Sequence, residues 1–422
     1  MIDRHLVSEY TDKKIIVAAI AKNESPYFYD WIFHHLYFGF NNIIIGVNRT
    51  DDSSKIILEK IQSYFGGDRI TILYLDFIDR GFEELCPTLQ LQHISYSFIF
   101  DYVARHFNAE YLMFLDIDEF WFPFDFKTKI GHYLAQYNNF EVMSFNWLYQ
   151  DGEETEFTPP FGNTEVYPGA SKYDIVNSVK SIIRVSAIDN IIQFRAHCPL
   201  LKDKDKHIDS LGNKFDYLVE GGQEPKNDVI ISENSAYILH RIKRSPIEFI
   251  ATLVESRFHE SAPVKINPNS THRDSYSSVI EVKKTLLDNN EAMQLYKSTY
   301  ENILEHLGPD FYSKLLIARS ERKESSLRFI PSDPSLLRER YRVYISKSYG
   351  TSFFNLICDT ILNNEICTDR LRDMSRFVEV YSKHYAFKFI KKAYLHKRKA
   401  PFIRKRLIAL SREIKRLENA ES

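Results

Sequence analysis

Short apolar segments alternate with amphipathic segments along the first 120 residues, and this alternation constrains the fold more than any other feature. The apolar runs have the length of buried strands, and the segments between them carry apolar residues at helical spacing. Strands and helices that alternate with short turns favour a parallel sheet with right-handed crossovers. The predicted strands are Lys14–Ala21, Asn42–Asn48, Ile70–Leu75 and Tyr111–Leu115, and the predicted helices are Tyr27–Phe38, a helix capped by 50–54 that ends near Phe65, and Pro87–Phe107.

The pattern changes beyond residue 140. Shorter strands there alternate with loops rich in Gly, Pro, Asn and Asp, and from about Ser270 the chain is mostly helical. We therefore predict an α/β domain over 1–270 and a helical region over 271–422. The strands expected to add to the sheet are Glu141–Trp147, Ser178–Val185, Ile191–Arg195 and Ala236–His240, and the later helices are Ser277–Leu316 and Leu336–Ile345.

Three carboxylates directly follow the last N-terminal strand, in the segment Leu-Asp-Ile-Asp-Glu-Phe of residues 115–120. While the chain stays extended, Asp116 and Asp118 would point the same way, because side chains two residues apart do so. Such a pair repels itself unless a cation neutralises it, and oxygen-only ligands favour Mg²⁺ or Mn²⁺. Glu119 adds a third negative charge, and the segment contains no Lys or Arg. The alternative is that the pair caps a helix or meets an Arg.

Polar residues follow the other strands at the same predicted edge of the sheet. Asn23 and Glu24 come after the first strand, and Asp52 comes after the second. Ser25 is a good N-cap and Pro26 suits a first helical turn, so the next helix should run from about Tyr27. Ligands of open α/β sheets bind outside the carboxyl ends of the strands. The sequence therefore predicts a ligand site along this edge.

The chain lacks the Gly-rich motifs of the common nucleotide and hydrolase sites. No Gly-x-Gly-x-x-Gly follows the first strand, and the chain has neither a Gly-Lys-Ser/Thr loop nor a Gly-x-Ser-x-Gly elbow. These absences argue against a dinucleotide dehydrogenase, a P-loop enzyme and an α/β-hydrolase. What remains is chemistry on a nucleotide diphosphate that a divalent ion would clamp and stabilise as a leaving group.

A series of short motifs lies between about residues 14 and 260. They are Ala21-Lys-Asn-Glu24 with Asp30-Trp31, His35 and Gly39; Asn48–Ser53; Gln92 with Tyr96; Leu115–Phe120; Phe145-Asn-Trp147; Lys180–Arg184; His197-Cys-Pro; and Leu239-His240 with Ser245–Phe249. In this order the motifs resemble those of family 2-like and family 92-like glycosyltransferases, including the Asp-x-Asp-Glu-Phe signature.

The resemblance implies a GT-A fold, which is Rossmann-like with a mainly parallel sheet flanked by helices. It also implies a nucleotide-sugar donor, expected to be a UDP-sugar, with Mn²⁺ or Mg²⁺ as cofactor and a hydroxyl acceptor. The metal ligands would be Asp116 and Asp118, completed by a late histidine for which His197 and His240 are the candidates. We interpret His35 as structural, since it lies beside Trp31. The implied nucleotide-sugar-binding residues are Asn23, Glu24, Asp52, Gln92, Asp116, Trp147 and Lys180.

An inverting hexosyl transfer needs a carboxylate base that reaches the acceptor hydroxyl. Asp151 and Glu153 lie in the loop after Trp147 and are the candidates for this base. The other interpretation of these residues is a solvated acidic loop, and a retaining mechanism is left open.

Charge is distributed unevenly along the chain. Residues 388–416 contain twelve Lys or Arg and one Glu, so the rest of the chain carries −13 against a net charge of −2. Apolar residues are interleaved with these cations, which is typical of a basic amphipathic helix at an anionic lipid surface. Pro401 is expected to divide it into two helices. The alternative is a helix packed on the body with a solvated basic face; nucleic acid is a poorer fit because no recognised module accompanies the tail.

The cysteines and the chain start bear on the compartment. Cys86, Cys198, Cys358 and Cys367 form no Cys-x-x-Cys pair, which argues against zinc and suggests reduced thiols. Residues 1–14 lack an apolar signal core, and no stretch of about 18 apolar residues occurs. We expect a cytoplasmic protein, with any membrane contact peripheral and at the inner face of the plasma membrane.

Together these features predict a metal-dependent glycosyltransferase that acts on a surface-glycan or lipid-linked saccharide acceptor. The expected pathway is surface polysaccharide or lipopolysaccharide assembly in a microbe. One alternative is a nucleotide-sugar hydrolase or nucleotidyltransferase. The other is a non-catalytic glycan- or membrane-binding protein on a degenerate GT-A fold.

Overall fold

The alternation of strands and helices predicted for the N-terminal region is present in the structure, a computed structural model. It describes residues 14–78, 91–150, 156–161, 173–217, 232, 234–241, 244–245, 248, 290–328, 352–363 and 367–421. The strands are β1 (Ile15–Ala21), β2 (Asn42–Val47), β3 (Ile70–Tyr74), β4 (Tyr111–Phe114), β5 (Glu119–Pro123), β6 (Val142–Gln150), β7 (Tyr173–Arg184), β8 (Ile191–Gln193), β9 (Leu200–Leu201), β10 (His207–Asp209) and β11 (Ala236–His240). The helices are α1 (Phe28–Tyr37), α2 (Ser54–Phe65), α3 (Leu91–His106), α4 (Ile130–Leu134), α5 (Asn290–Arg328), α6 (Ser352–Asn363), α7 (Thr368–Val378), α8 (Lys383–His396) and α9 (Pro401–Glu421).

A nine-stranded sheet forms the centre of the described N-terminal part, in the order β3-β2-β1-β4-β7-β6-β11-β5 with β10 also paired to β6. The pairs β3-β2, β2-β1, β1-β4, β6-β10 and β6-β11 are parallel. The pairs of β7 with β4 and with β6, and of β11 with β5, are antiparallel. The expected α/β architecture, a mainly parallel sheet flanked by helices with a helical C-terminal region, is confirmed.

Strand β1 shows why this sheet needs helices on both faces. All its residues but Ile20 are buried, and successive side chains of a strand point to opposite faces. Ile15, Val17 and Ala19 belong to the apolar cluster that contains α1, whereas Ile16 and Ala18 belong to the cluster that contains α3. The sheet is therefore a layer between two helical layers, and its strand ends are left for other contacts.

Helix α1 begins at Phe28, one residue after its predicted start, but its expected cap is wrong. The expected cap was Ser25, but the N-cap is Tyr27 and makes no side-chain capping bond. The Ser25 amide instead donates to Asp52 Oδ2 at 3.1 Å, in the turn that follows β2. Residues 25–27 form a turn in which the Tyr27 amide donates to the Glu24 carbonyl at 3.0 Å, so this turn and the contact between two strand ends replace a side-chain cap.

The chain divides into two compact units. Within the described residues, 14–248 and 290–322 belong to the first unit, and the later residues belong to the second. In the first unit, α5 is interrupted at Gly308, whose φ of 84° suits glycine, and Tyr300 on α5 donates to Asp30 Oδ1 at 2.6 Å. A domain boundary at residue 270 stays a prediction, and the predicted helix segments 277–289 and 336–345 lie outside the described residues.

The second unit contains helices α6 to α9. Helices α8 and α9 are separate, and α9 begins at Pro401, so the predicted division of the basic tail at this proline is confirmed. None of the helices in the described part of the chain is long and apolar enough to cross a bilayer.

Candidate active site

The acidic segment forms a tight turn between β4 and β5. The amide of Glu119 donates to the Asp116 carbonyl at 2.9 Å, and the Trp31 indole donates to the carbonyls of Asp116 and Glu119 at 3.0 Å each. The Arg241 amide, just after β11, donates to the Asp118 carbonyl at 2.8 Å. The chain reverses here, so the extended geometry expected for Asp116 and Asp118 is wrong, and their directions are set by the turn.

A buried ion pair lies beneath this turn. Lys180 of β7 is 1% exposed, and its ammonium lies 3.1 Å from Glu119 Oε2 and 3.2 Å from Asp116 Oδ2. Burial raises the pKa of Glu119 well above its usual value, and Lys180 opposes this shift. Burial alone would lower the pKa of Lys180, but the carboxylates of Asp116 and Glu119 raise it. The counterion of the acidic segment is thus a lysine supplied by a strand far along the sequence.

The two predicted acidic ligands differ in their surroundings. The Asp116 side chain is 40% exposed, although one of its oxygens contacts Lys180. Asp118 Oδ2 lies 3.6 Å from His240 Nε2, and the Asp118 side chain is 16% exposed. Because β11 pairs with β5, His240 lies directly opposite Glu119, which brings this histidine to the turn.

Trp147 connects His240 to the second candidate histidine. Its ring centroid lies 4.3 Å from that of His240 and 4.8 Å from that of His197. His197 Nδ1 is 3.1 Å from the Val179 carbonyl. Burial and the nearby Lys180 ammonium lower the His197 pKa to about 3. The structure therefore brings both late histidines to the same side of the sheet as the turn.

The residues after β1 and β2 form a second cluster at the predicted edge. Asn23 takes a left-handed conformation with φ 55°, and its amide nitrogen donates to Asp51 Oδ1 at 2.6 Å. Asp52 accepts from the backbone amides of Ser25 and Ser54 at 3.1 and 2.9 Å. Glu24 Oε2 is paired with Arg244 at 3.2 Å. These contacts fix the strand-end loops relative to each other.

Helix α3 places Gln92 and Tyr96 close to the buried ion pair. The Gln92 side-chain amide donates to the Tyr96 hydroxyl at 2.9 Å, and the Tyr96 ring stacks on Phe114 at 4.1 Å. Burial raises the Tyr96 pKa, and the Lys180 charge opposes the shift. His35, interpreted as structural, is fully buried beside Trp31 at a ring distance of 4.4 Å.

Sequence reasoning missed Arg244. Its guanidinium is 3.5 Å from the centre of the Tyr27 ring, and the residue is 6% exposed. Burial alone would lower its pKa, but the nearby Glu24 and Tyr27 and the Asp118 charge raise it. The available signal was its position shortly after β11, at the same edge as the other candidates. The candidate bases Asp151 and Glu153 lie outside the described residues.

The fit of a divalent cation rests on Asp118 and His240. Two ligands about 2.1 Å from one ion are about 3 Å or more apart, which their 3.6 Å separation accommodates. In the part of the chain that the structure describes, no three His, Cys, Asp or Glu side chains group closely enough to hold a metal. Mg²⁺ in such sites is commonly held by one or two carboxylates together with substrate phosphates. The donor set therefore fits a metal that arrives with a diphosphate.

The match to a protein-family model supports a glycosyltransferase. Residues 21–211 match the model of Glycosyltransferase family 92, so this part of the chain is similar to a family 92 glycosyltransferase domain. Among solved structures, HddC from Yersinia pseudotuberculosis is similar, with 9% sequence identity and a TM-score of 0.26 over 47% of this chain and 90% of that chain. No curated protein matches the chain.

Proposed function

We propose that this glycosyltransferase moves a hexose from a nucleotide-sugar donor, expected to be a UDP-sugar, to a hydroxyl group of a saccharide acceptor, with Mn²⁺ or Mg²⁺ as cofactor. The observation that carries the proposal is the acidic turn between β4 and β5, with Asp118 3.6 Å from His240 and Asp116 partly open to solvent. A pair of this kind at the ligand edge of a mainly parallel sheet suits a metal-bound diphosphate.

The proposed roles follow from charge and exposure. Asp118 and His240 would hold the cation, with His197 as the further candidate ligand, and the cation when bound would neutralise the diphosphate leaving group. Asp116 contacts Lys180 through one carboxylate oxygen. Its carboxylate would also accept a hydrogen bond from a hydroxyl group of the sugar nucleotide. Asn23, Glu24, Asp52, Gln92, Trp147 and Lys180 remain the proposed surroundings of the donor.

The proposed reaction is a substitution at the anomeric carbon of the donor sugar. A bond forms between the acceptor oxygen and this carbon, and the bond from this carbon to the diphosphate oxygen breaks. The nucleoside diphosphate leaves with the electron pair, and the acceptor proton passes to a carboxylate base. Asp151 and Glu153 stay the predicted bases for an inverting course.

The acceptor class is proposed from the chain as a whole. A surface-glycan or lipid-linked saccharide at the cytoplasmic face of a membrane would account for a basic tail on a sugar transferase. Polysaccharide or lipopolysaccharide assembly in a microbe would be the setting.

Thermal-shift screening of the full-length protein with sugar nucleotides, with and without MnCl₂, tests donor and metal together. We expect at least one sugar nucleotide to raise the unfolding temperature, and to raise it more with Mn²⁺, since a ligand that binds only the folded state stabilises it. Asp118→Asn should lose the Mn²⁺-dependent part of the shift. The matched control is Asp101→Asn, which removes an exposed carboxylate paired with Arg105 on α3.

Product analysis with the donor so identified separates the alternatives. Sugar transfer releases intact nucleoside diphosphate and lengthens the acceptor, whereas a hydrolase releases free sugar or sugar phosphate without any acceptor. A nucleotidyltransferase would leave the sugar nucleotide unchanged until pyrophosphate is added, and would then form a nucleoside triphosphate and a sugar phosphate. Stabilisation by no sugar nucleotide, with or without Mn²⁺, would contradict the proposal and favour a non-catalytic binding protein.

A further inference from the structure

Helices α8 and α9 form an antiparallel hairpin whose turn is strongly basic. Lys383 near the start of α8 pairs with Glu413 on α9 at 2.6 Å, and residues 397–400 connect the two helices. Chain positions that are about equally distant from the turn therefore lie side by side. We call the turn and its flanking residues, 395–405, the α8–α9 tip.

The cations of the basic tail differ in their surroundings. Arg406 and Lys388, outside the tip, serve the fold: Arg406 donates to the Ser375 carbonyl at 3.1 Å, and Lys388 pairs with Asp359 at 3.4 Å. The cations of the tip are exposed, and the structure gives their side chains no ion pair within the residues that it describes. These exposed cations are Lys397, Arg398, Lys399, Arg404 and Lys405. The packed-helix interpretation thus fits the body of the hairpin and leaves the tip unexplained.

Two large apolar side chains stand among these cations. Leu395, in the last turn of α8, is 55% exposed, and Phe402, in the first turn of α9, is 81% exposed. Phe402 has the most exposed aromatic ring in the described part of the chain. The opposite face of the hairpin is buried, because Phe389, Ile390 and Ile403 lie in the core of the second unit. Leu395 and Phe402 are therefore not part of this core.

We propose that the α8–α9 tip binds the surface of an anionic lipid bilayer, with Phe402 and Leu395 entering the headgroup region. Positive charge around the apolar side chains complements an anionic surface that is polar outside and apolar beneath, whereas nucleic acid offers charge without an apolar layer. Within 395–405 the sequence contains no Asp or Glu that would oppose such a surface. The inference concerns the second unit alone and does not depend on the transfer reaction.

Binding of the full-length protein to large unilamellar vesicles tests the proposal. We expect flotation with vesicles of phosphatidylcholine containing one third phosphatidylglycerol, and little flotation with phosphatidylcholine alone. Each Lys or Arg near such a surface strengthens binding about fivefold, so the triple variant Lys397→Gln/Arg398→Gln/Lys399→Gln should bind on the order of a hundredfold more weakly. Phe402→Ser should weaken binding roughly tenfold through lost apolar contact.

A matched triple variant controls for net charge. Arg412→Gln/Lys415→Gln/Arg416→Gln removes the same charge from the far part of α9. Lys415 lies thirteen residues after Phe402, which is about 20 Å along a helix and beyond the screening length of about 8 Å in physiological salt. This control should float almost as the unmodified protein does. Phe402 and the tip cations are exposed, so far-ultraviolet circular dichroism should show all variants folded.

A spectroscopic arm distinguishes insertion from adsorption. The three native tryptophans, Trp31, Trp121 and Trp147, are buried in the first unit. The extra emission of Phe402→Trp should shift to shorter wavelength on anionic vesicles and be quenched by brominated acyl chains. The proposal is overturned if the tip variants float as the unmodified protein does, if the control loses as much binding, or if the tip binds duplex DNA or an acidic protein but no vesicles.

Discussion

The buried pair of Lys180 and Glu119 makes the sharpest energetic prediction. Replacing Lys180 with Met keeps most of the side-chain volume but leaves Glu119, which is fully buried, without its counterion. Glu119 Oε2 would retain the Asp116 amide at 3.0 Å, and Oε1 has no hydrogen-bond partner among the described residues. Breaking a buried pair by removing one partner costs about 3–5 kcal/mol. Asp116 adds little, because a 40% exposed carboxylate can exchange the lysine for water.

Tryptophan fluorescence is a suitable assay, since all three tryptophans report on the first unit. A loss of about 4 kcal/mol in a unit of this size should lower its unfolding temperature by roughly 10 °C. The double variant Lys180→Met/Glu119→Gln removes both charges and should recover most of that loss, because a neutral pair of similar shape leaves no buried charge.

An exposed ion pair in the same unit provides the control. Lys60 contacts Asp310 at 2.9 Å, with side chains 48% and 61% exposed. Lys60→Met should change the free energy of unfolding by less than about 1 kcal/mol. A buried counterion is refuted if Lys180→Met is no more destabilising than Lys60→Met, or if the double variant is as unstable as Lys180→Met alone.

Three further predictions concern the metal, the turn and a buried histidine. His240→Gln should weaken Mn²⁺ binding by at least about tenfold, since the loss of even an outer partner of a metal ligand has an effect of that size. The electron paramagnetic resonance of free Mn²⁺ measures this binding, and unchanged binding would exclude His240 as a ligand. Trp31→Phe removes the indole N–H that donates to the carbonyls of Asp116 and Glu119. This change should lower kcat/KM for the identified sugar nucleotide roughly tenfold. An unchanged value would mean that the turn keeps its conformation without these two hydrogen bonds. Burial lowers the pKa of His207 to about 3, so the unfolded chain binds a proton below about pH 6.5 that the folded unit does not, and stability is lost as the pH falls through this window. Between pH 7.5 and 5.5, the protonation of His207 in the unfolded chain lowers the free energy of unfolding by about 1.4 kcal/mol. In denaturant titrations over this pH range, His207→Gln should therefore lose about 1.4 kcal/mol less of this free energy than the unmodified protein does. Equal losses in the two proteins would refute the assignment.

The elements of this fold that could be predicted are those determined by the local pattern of apolar and polar residues. Strand β11 matches its predicted bounds of Ala236–His240, and the four N-terminal strands agree to within one residue at either end. Each is a short apolar run between polar or turn-forming residues, so burial on both faces can be inferred from composition alone. Pro401 likewise marks a helix start, because its missing N–H is tolerated only in a first turn.

The features that sequence reasoning missed depend on pairing between distant segments. The position of β7 between β4 and β6 brings Lys180 beneath the acidic turn, and nothing within residues 111–122 signals that lysine. Ser25 shows the same limit, since its amide donates to Asp52 and no side chain caps the helix that follows. In both cases the side chain that makes the contact comes from a distant segment, and the order of the strands in the sheet brings it close.

The strand order also changes how the three carboxylates are understood. Taken by themselves, they require a cation, and the buried lysine supplies one for Glu119 and part of Asp116. Asp118 belongs to a different environment, beside His240 and within the electrostatic reach of Arg244. If Lys180 neutralised the whole segment, Mn²⁺ binding would be weak in the unmodified protein and would strengthen in Lys180→Met. If instead the segment divides as the contacts indicate, the Lys180→Met/Glu119→Gln double variant should keep Mn²⁺ binding while Asp118→Asn loses it. These two measurements separate the charge that stabilises the fold from the charge that is left to bind a ligand.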